Sequence, residues 1–167
     1  MSQAVTIGSY VLYGKTGVCQ IKEQKSVVMG RERNEYYVLS PVSDVRSMVF
    51  VPCDNEVLVA KMCPLLSREE IDLLLSDADS DRLEWIDDRP QRINFYRTVT
   101  CGNDRRMLIR LICCLFRKKQ EREEQGKRLS SMDEITLKEC MRLIDEEFSM
   151  VLDIPRSQVM EYILERL

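Results

Sequence analysis

Val57–Leu75 reads VLVAKMCPLLSREEIDLLL, and inside it the apolar spacing changes from that of strands to that of helices. Val57 to Met62 has the β-branched, apolar density of a short strand. Ser67-Arg68-Glu69-Glu70 has the capping-box form, in which a serine and a glutamate satisfy each other's free amides. It opens a short helix through Leu75. The chain therefore changes class near residue 66, and two domains are expected, 1–66 and 67–167, with a polar, acidic hinge about 76–84.

Upstream of this junction the chain reads as strands throughout. Val5-Thr6-Ile7 and Tyr10-Val11-Leu12-Tyr13 are rich in β-branched and aromatic residues, with Gly8, Gly14 and Gly17 as turns. Val18 to Val28 is a second extended stretch, and Met29-Gly30-Arg31 turns the chain into Tyr36-Tyr37-Val38-Leu39. Pro41 to Asp44 turns it again, into Ser47-Met48-Val49-Phe50-Val51, which Pro52 to Asn55 closes. Five short strands with tight connections predict a small, strongly bent antiparallel β-barrel, which would leave no exposed edge.

Downstream the period is helical. Asp88 and Pro90 suit the first turn of a helix that runs to about Thr100 and stops at Cys101-Gly102, where glycine can turn left-handed. Asn103 is the expected cap of a longer helix with Met107, Leu108, Leu111, Ile112, Leu115 and Phe116 on one face. Arg106, Arg110 and Arg117 share another face and predict a basic stripe. Ser131-Met132-Asp133-Glu134 repeats the capping-box form, Pro155 breaks the chain, and a short helix covers Gln158 to Leu167. The second half is expected to be an all-α bundle of four or five helices.

Net charge is only −3 over 167 residues, but it is unevenly placed. Residues 82–122 hold eleven Lys/Arg against five Asp/Glu, while 67–81 hold one against six and 123–167 six against eleven. A basic block between acidic blocks can make a local positive face. Seven Cys occur with no His and no CxxC pair, so a zinc site lacks its usual spacing and its nitrogen ligand. Reduced, buried thiols and no metal are expected. The start, MSQAVTIGSYVLYG, lacks the basic and long apolar segments of a signal peptide, and no apolar run approaches the ~20 residues of a membrane span. A cytoplasmic protein is expected.

An enzyme would need a constellation that is hard to assemble without histidine. Gly14-Lys15-Thr16-Gly17 has Walker-like letters but no upstream glycine to complete a phosphate nest. Asp87-Asp88 and Glu146-Glu147 read as solvated helix faces or caps. The expectation is a non-enzymatic binding protein with no cofactor.

Ile7-Gly8-Ser9-Tyr10-Val11-Leu12-Tyr13, followed by Gly17-Val18, resembles the opening of the RNA-polymerase-interacting domain shared by CarD-like regulators and transcription-repair coupling factors. Tyr36-Tyr37-Val38-Leu39 and Val49-Phe50-Val51-Pro52 are similar to its later strands. Trp85-Ile86-Asp87-Asp88-Arg89, Arg92, Cys101-Gly102-Asn103-Asp104, the stretch from Leu111 to Lys119 and Ile144-Asp145-Glu146-Glu147 resemble the CarD C-terminal domain. The resemblance covers about residues 5–152. Coupling factors share only the first half and carry a motor besides, so a chain of this length is expected to be similar to the regulator.

The resemblance implies a Tudor/SH3-like barrel that docks on the polymerase β subunit by extending a sheet, through a strand near Tyr36–Leu39 or Met48–Val51. Tyr37, Leu39, Met48, Phe50 and Val51 are the candidate polymerase contacts. It also implies that Trp85 wedges into the promoter minor groove at the upstream edge of the melted bubble, with little sequence specificity. Arg89, Arg92, Arg97, Arg105, Arg106 and Arg110 are then candidate phosphate contacts. Asp87 and Asp88 stand where some relatives are more basic, and Phe50 stands where some offer a basic residue to polymerase. A monomer that stabilises or destabilises the open promoter complex is expected; the rival is a protein-only adaptor whose barrel and bundle each bind a protein.

Overall fold

Tyr10–Tyr13 (β1) and Gly17–Met29 (β2) are joined by a tight 3-10 turn over Gly14–Thr16, and Glu32–Pro41 (β3) returns along β2. The computed structural model describes residues 5–78 and 81–167. Asp79 and Ser80, inside the expected hinge, lie outside the described residues, as do the first four. Val49–Pro52 (β4), Glu56–Ala60 (α1) and Met62–Pro64 (β5) complete the first of two compact units, Met1–Leu65. The five strands form one antiparallel sheet in the order β4-β3-β2-β1-β5.

Two expectations for this unit need correction. Most of the stretch Val57 to Met62 is not a strand: the Asn55 side chain accepts the Leu58 amide at 3.1 Å and caps α1. Only Met62–Pro64 extends. The barrel is also not closed, because the outer strands β4 and β5 do not pair with each other. Instead α1 packs on both, and its Leu58 and Val59 join the small core of Val11, Cys19, Ile21, Leu39, Val51 and Met62. Edges that a barrel would have removed therefore remain. A register shift between Ile21 and Glu23 bends β2 against β3.

The second unit, Leu66–Leu167, holds Arg68–Asp77 (α2), Arg89–Cys101 (α3), Arg105–Glu124 (α4), Ser131–Leu152 (α5) and Arg156–Leu164 (α6). The Ser67 capping box forms in full, and Asp88 caps α3 with proline in its first turn. Three junctions differ from expectation. Gly102 is right-handed and Asn103 takes the left-handed position, at φ 56°. Glycine is required at 102 for space, since a Cβ there would lie 2.8 Å from the Thr98 carbonyl oxygen. Asp104, not Asn103, caps α4, and Ser130, not Ser131, caps α5. The last helix starts two residues earlier than expected, directly after Pro155.

The bundle core joins Ile71 and Leu75 of α2 to Tyr96, Leu108, Leu111, Leu115, Leu143, Ile144, Phe148 and Ile163. The acidic run of α5 enters it. Glu146 and Glu147 are not a solvated face: both are fully buried, paired with Arg142 and Arg105 respectively. Asp145 is half-buried, and among the described residues its Oδ1 has no hydrogen-bond partner. Burial pushes its carboxyl up to about 6, with Arg156 pulling it down and Glu146 adding to the rise.

That displacement sets a pH dependence. A raised carboxyl favours the neutral form in the folded protein, so its contribution is full below about pH 4 and is lost as pH rises through about 6. The displacement corresponds to roughly 3 kcal/mol, which solvent screening of a half-exposed group reduces to about 1 kcal/mol. Asp145→Asn is expected to raise the melting temperature by several degrees near pH 7.5 and leave it nearly unchanged near pH 3. Equal effects at both pH values would remove Asp145 from the pH dependence.

Candidate functional site

The first candidate is the free side of β4. The Cys53 amide donates to the Glu35 carbonyl at 2.9 Å, continuing a register in which Tyr37 faces Val51 and Leu39 faces Val49. Hydrogen-bonded pairs alternate along an antiparallel ladder, so Val49 and Val51 direct their amides to β3. The amide and carbonyl of Phe50 point the other way, to the open edge. Pro52 offers no donor there. Tyr36–Leu39 of β3 is interior, because β2 and β4 flank it on both sides.

The side chains divide by the same alternation. Leu39 and Val51 are fully buried in the small core, so neither side chain reaches a partner. Tyr37 is half-buried and packs against that core; burial and the neighbouring Cys53 thiol raise its phenol above its ordinary value. Met48 is 65% exposed and Phe50 47%, and the Phe50 ring meets Tyr36 edge-on at 6.2 Å. The exposed face of the edge is thus apolar and partly aromatic.

The second candidate is the segment that leads into α3. Residues 82–87 contain no helix, and three arginines of the bundle hold this strap and its immediate neighbours. Arg110 of α4 pairs with Asp81 at 3.0 Å, and Arg117 donates to the Leu83 carbonyl at 2.9 Å. Arg92 of α3 donates through Nη1 to the carbonyls of Ile86 and Asp87, at 3.0 and 3.2 Å. The expected basic stripe on α4 is therefore mostly engaged in fixing this segment.

Trp85 sits in the middle of the strap, half-buried against the bundle core. The Arg92 guanidinium lies 4.6 Å from its ring centroid and the Lys118 ammonium 5.1 Å. Both distances are within cation–π range. Lys118 escaped the sequence reading because its partner lies more than thirty residues away, with no local pattern joining them.

Arg92 is itself anchored. Its Nε pairs with Asp133 of α5 at 3.0 Å, and the side chains are only 10% and 4% exposed. The Tyr96 hydroxyl donates to the same carboxylate oxygen at 2.6 Å, and the Ser130 hydroxyl to the other oxygen at 2.6 Å. Burial alone would raise the Asp133 carboxyl; the hydrogen bonds from Ser130, Tyr96 and Arg92, with the charge of Arg92, outweigh it and hold it below its ordinary value. Burial and the bond to Asp133 raise the Tyr96 phenol.

The six arginines thus fall into distinct environments. Arg92 and Arg105 are inside the unit, Arg105 in a two-pronged pair with Glu147 at 2.9 Å. Arg110 is 13% exposed and held by Asp81. Arg106 is exposed, in a pair with Asp77 that water also reaches. Arg89 and Arg97 are exposed on α3, and among the described residues neither forms an ion pair. Arg89, Arg97 and Arg106 thus stand at the surface, whereas the hydrogen-bonding groups of Arg92 and Arg105 serve buried acids and Arg110 is held by Asp81.

Comparison with known proteins bears on the first unit. Residues 5–63, within the first unit, match the family model described as the CarD-like/TRCF RID domain. The match ends where the helical unit begins. No curated protein matches the chain at a significant level. Among the described residues no helix is long and apolar enough to cross a membrane.

Proposed function

We propose that this protein is a transcription regulator that docks on the RNA polymerase β subunit through the β4 edge and contacts promoter DNA through its helical unit. The observation that carries the reading is the match of residues 5–63 to the RID domain, on a unit whose β4 has, among the described residues, no strand on its outer side. An open edge next to exposed Met48 and Phe50 supports recognition by strand addition, with main-chain hydrogen bonds for affinity and pockets for alternate side chains. In the helical unit Trp85 is the apolar group offered to a partly unstacked base step, and Arg89, Arg97 and Arg106 supply phosphate contacts. The protein acts without a cofactor and without catalysis, by altering the lifetime of the open complex.

The deciding experiment measures the lifetime of the open promoter complex with wild-type protein and with Trp85→Ala. The variant is expected to shorten it severalfold while still binding polymerase. The half-buried ring makes the substitution cost the helical unit about 1–2 kcal/mol, less than the ~3–5 kcal/mol of deleting a fully buried aromatic. Arg89→Ala with Arg97→Ala should weaken association with duplex DNA and flatten its salt dependence. Binding to polymerase with no salt-dependent DNA contact at all would instead favour the protein-only adaptor.

A further inference from the structure

The fixed position of Trp85 needs a cause, since the strap that carries it has no helical or sheet hydrogen bonds of its own. We propose that Arg92 is a positioning residue: anchored on Asp133, its guanidinium clamps the Ile86 and Asp87 carbonyls and sets the Trp85 indole at the surface. This rests on the reading of Trp85 as the DNA-facing group, and it removes Arg92 from the phosphate contacts.

Four observations meet at this one side chain. The guanidinium is 4.6 Å from the indole centroid. Nη1 holds two consecutive carbonyls of the strap. Nε is paired with a buried carboxylate. That carboxylate is fixed by two further side chains, Tyr96 of α3 and Ser130 at the cap of α5. A planar fork can make all these contacts at once, whereas an ammonium is a single point that must choose among them. A charge held this way is a poor phosphate ligand, because reaching DNA would leave Asp133 buried and uncompensated.

The clamp and a phosphate contact predict opposite results for two charge-distinct variants. Arg92→Lys keeps the positive charge and loses the fork. Asp133→Asn keeps the shape of the anchor and loses its charge. Trp85 is the only tryptophan, so intrinsic fluorescence of the full-length protein reports the strap directly, without DNA. Under the clamp, both variants raise acrylamide quenching of Trp85 roughly twofold and shift its emission to longer wavelength, as a stacked indole is released to water. Both also shorten the open-complex lifetime towards that of Trp85→Ala.

Under a phosphate contact, Arg92→Lys would leave quenching at the wild-type value. Asp133→Asn would free a cation and tighten DNA association, with a steeper salt dependence. Either result overturns the clamp. Should Arg92→Lys fail to give a wild-type far-ultraviolet spectrum, Tyr96→Phe is read in its place. It removes one donor to Asp133 and is expected to raise quenching in the same direction by less, and unchanged quenching would again overturn the proposal. The two readings fail separately: an open-complex lifetime unaffected by Trp85→Ala removes the DNA role, while the quenching data still decide the clamp.

Discussion

Arg105→Ala is expected to unfold the helical unit at or near physiological temperature. Glu147 is fully buried, and Arg105 reaches it through two hydrogen bonds of 2.9 Å. Among the described residues that carboxylate otherwise accepts only from the Leu66 amide, also at 2.9 Å. Removing the guanidinium leaves a buried charge with one neutral donor, and breaking such a pair costs about 3–5 kcal/mol. Total stabilities are about 5–15 kcal/mol, so this loss is a large share of what the unit has. Chemical denaturation of the full chain followed by far-ultraviolet circular dichroism measures it. Adding Glu147→Gln should recover much of the loss, because the amide oxygen still accepts from Leu66 and no charge stays buried. A single-variant loss below about 1 kcal/mol would mean that water reaches Glu147, and the pair would count as a surface bridge.

Phe50→Pro is expected to abolish polymerase binding while leaving the fold intact. The Phe50 amide points to the open edge, so proline there removes a donor that β3 does not use. It also interrupts any strand laid beside β4. Val51→Pro differs in kind, since Val51 directs its amide to β3 and its side chain is in the core. That variant should lose stability and binding together. Phe50→Ala keeps the amide and removes the ring. If the edge docks by main chain, alanine costs a severalfold loss in affinity and proline more than about tenfold, the equivalent of at least 1.4 kcal/mol. Equal losses for alanine and proline would assign the contact to the ring instead of the backbone. Retained binding by a folded Phe50→Pro protein would take β4 out of the interface.

How much of this was legible in the sequence differs between the two units. Caps and turns were readable where one residue's chemistry decides them. Ser67 with Glu70, and Asp88 before Pro90, stand where expected. At two other junctions the cap is the neighbour of the expected residue, Asp104 beside Asn103 and Ser130 beside Ser131, and each neighbour has the same capping chemistry. Residue type alone does not separate neighbours of equal capping chemistry. Glu56–Ala60 is a similar case. Its valines favour a strand, but a cap at Asn55 and the space left between the outer strands made a helix.

Composition and period by themselves determined a β half and an α half, a junction near residue 66, and the apolar stripes of the long helices. These follow from spacing along the chain, and the chain carries that information directly. Tertiary structure decided which polar groups are available. Arg92 and Asp133 are 41 residues apart, and Arg105 and Glu147 are 42 apart, so no local pattern distinguishes them from the exposed Arg89 and Arg97. The openness of the sheet was decided at the same level, because pairing of the outer strands depends on their ends meeting in space and not on what either strand contains. A charged side chain's role depends on whether folding brings it an opposite charge away from water, and only the packed structure supplies that partner.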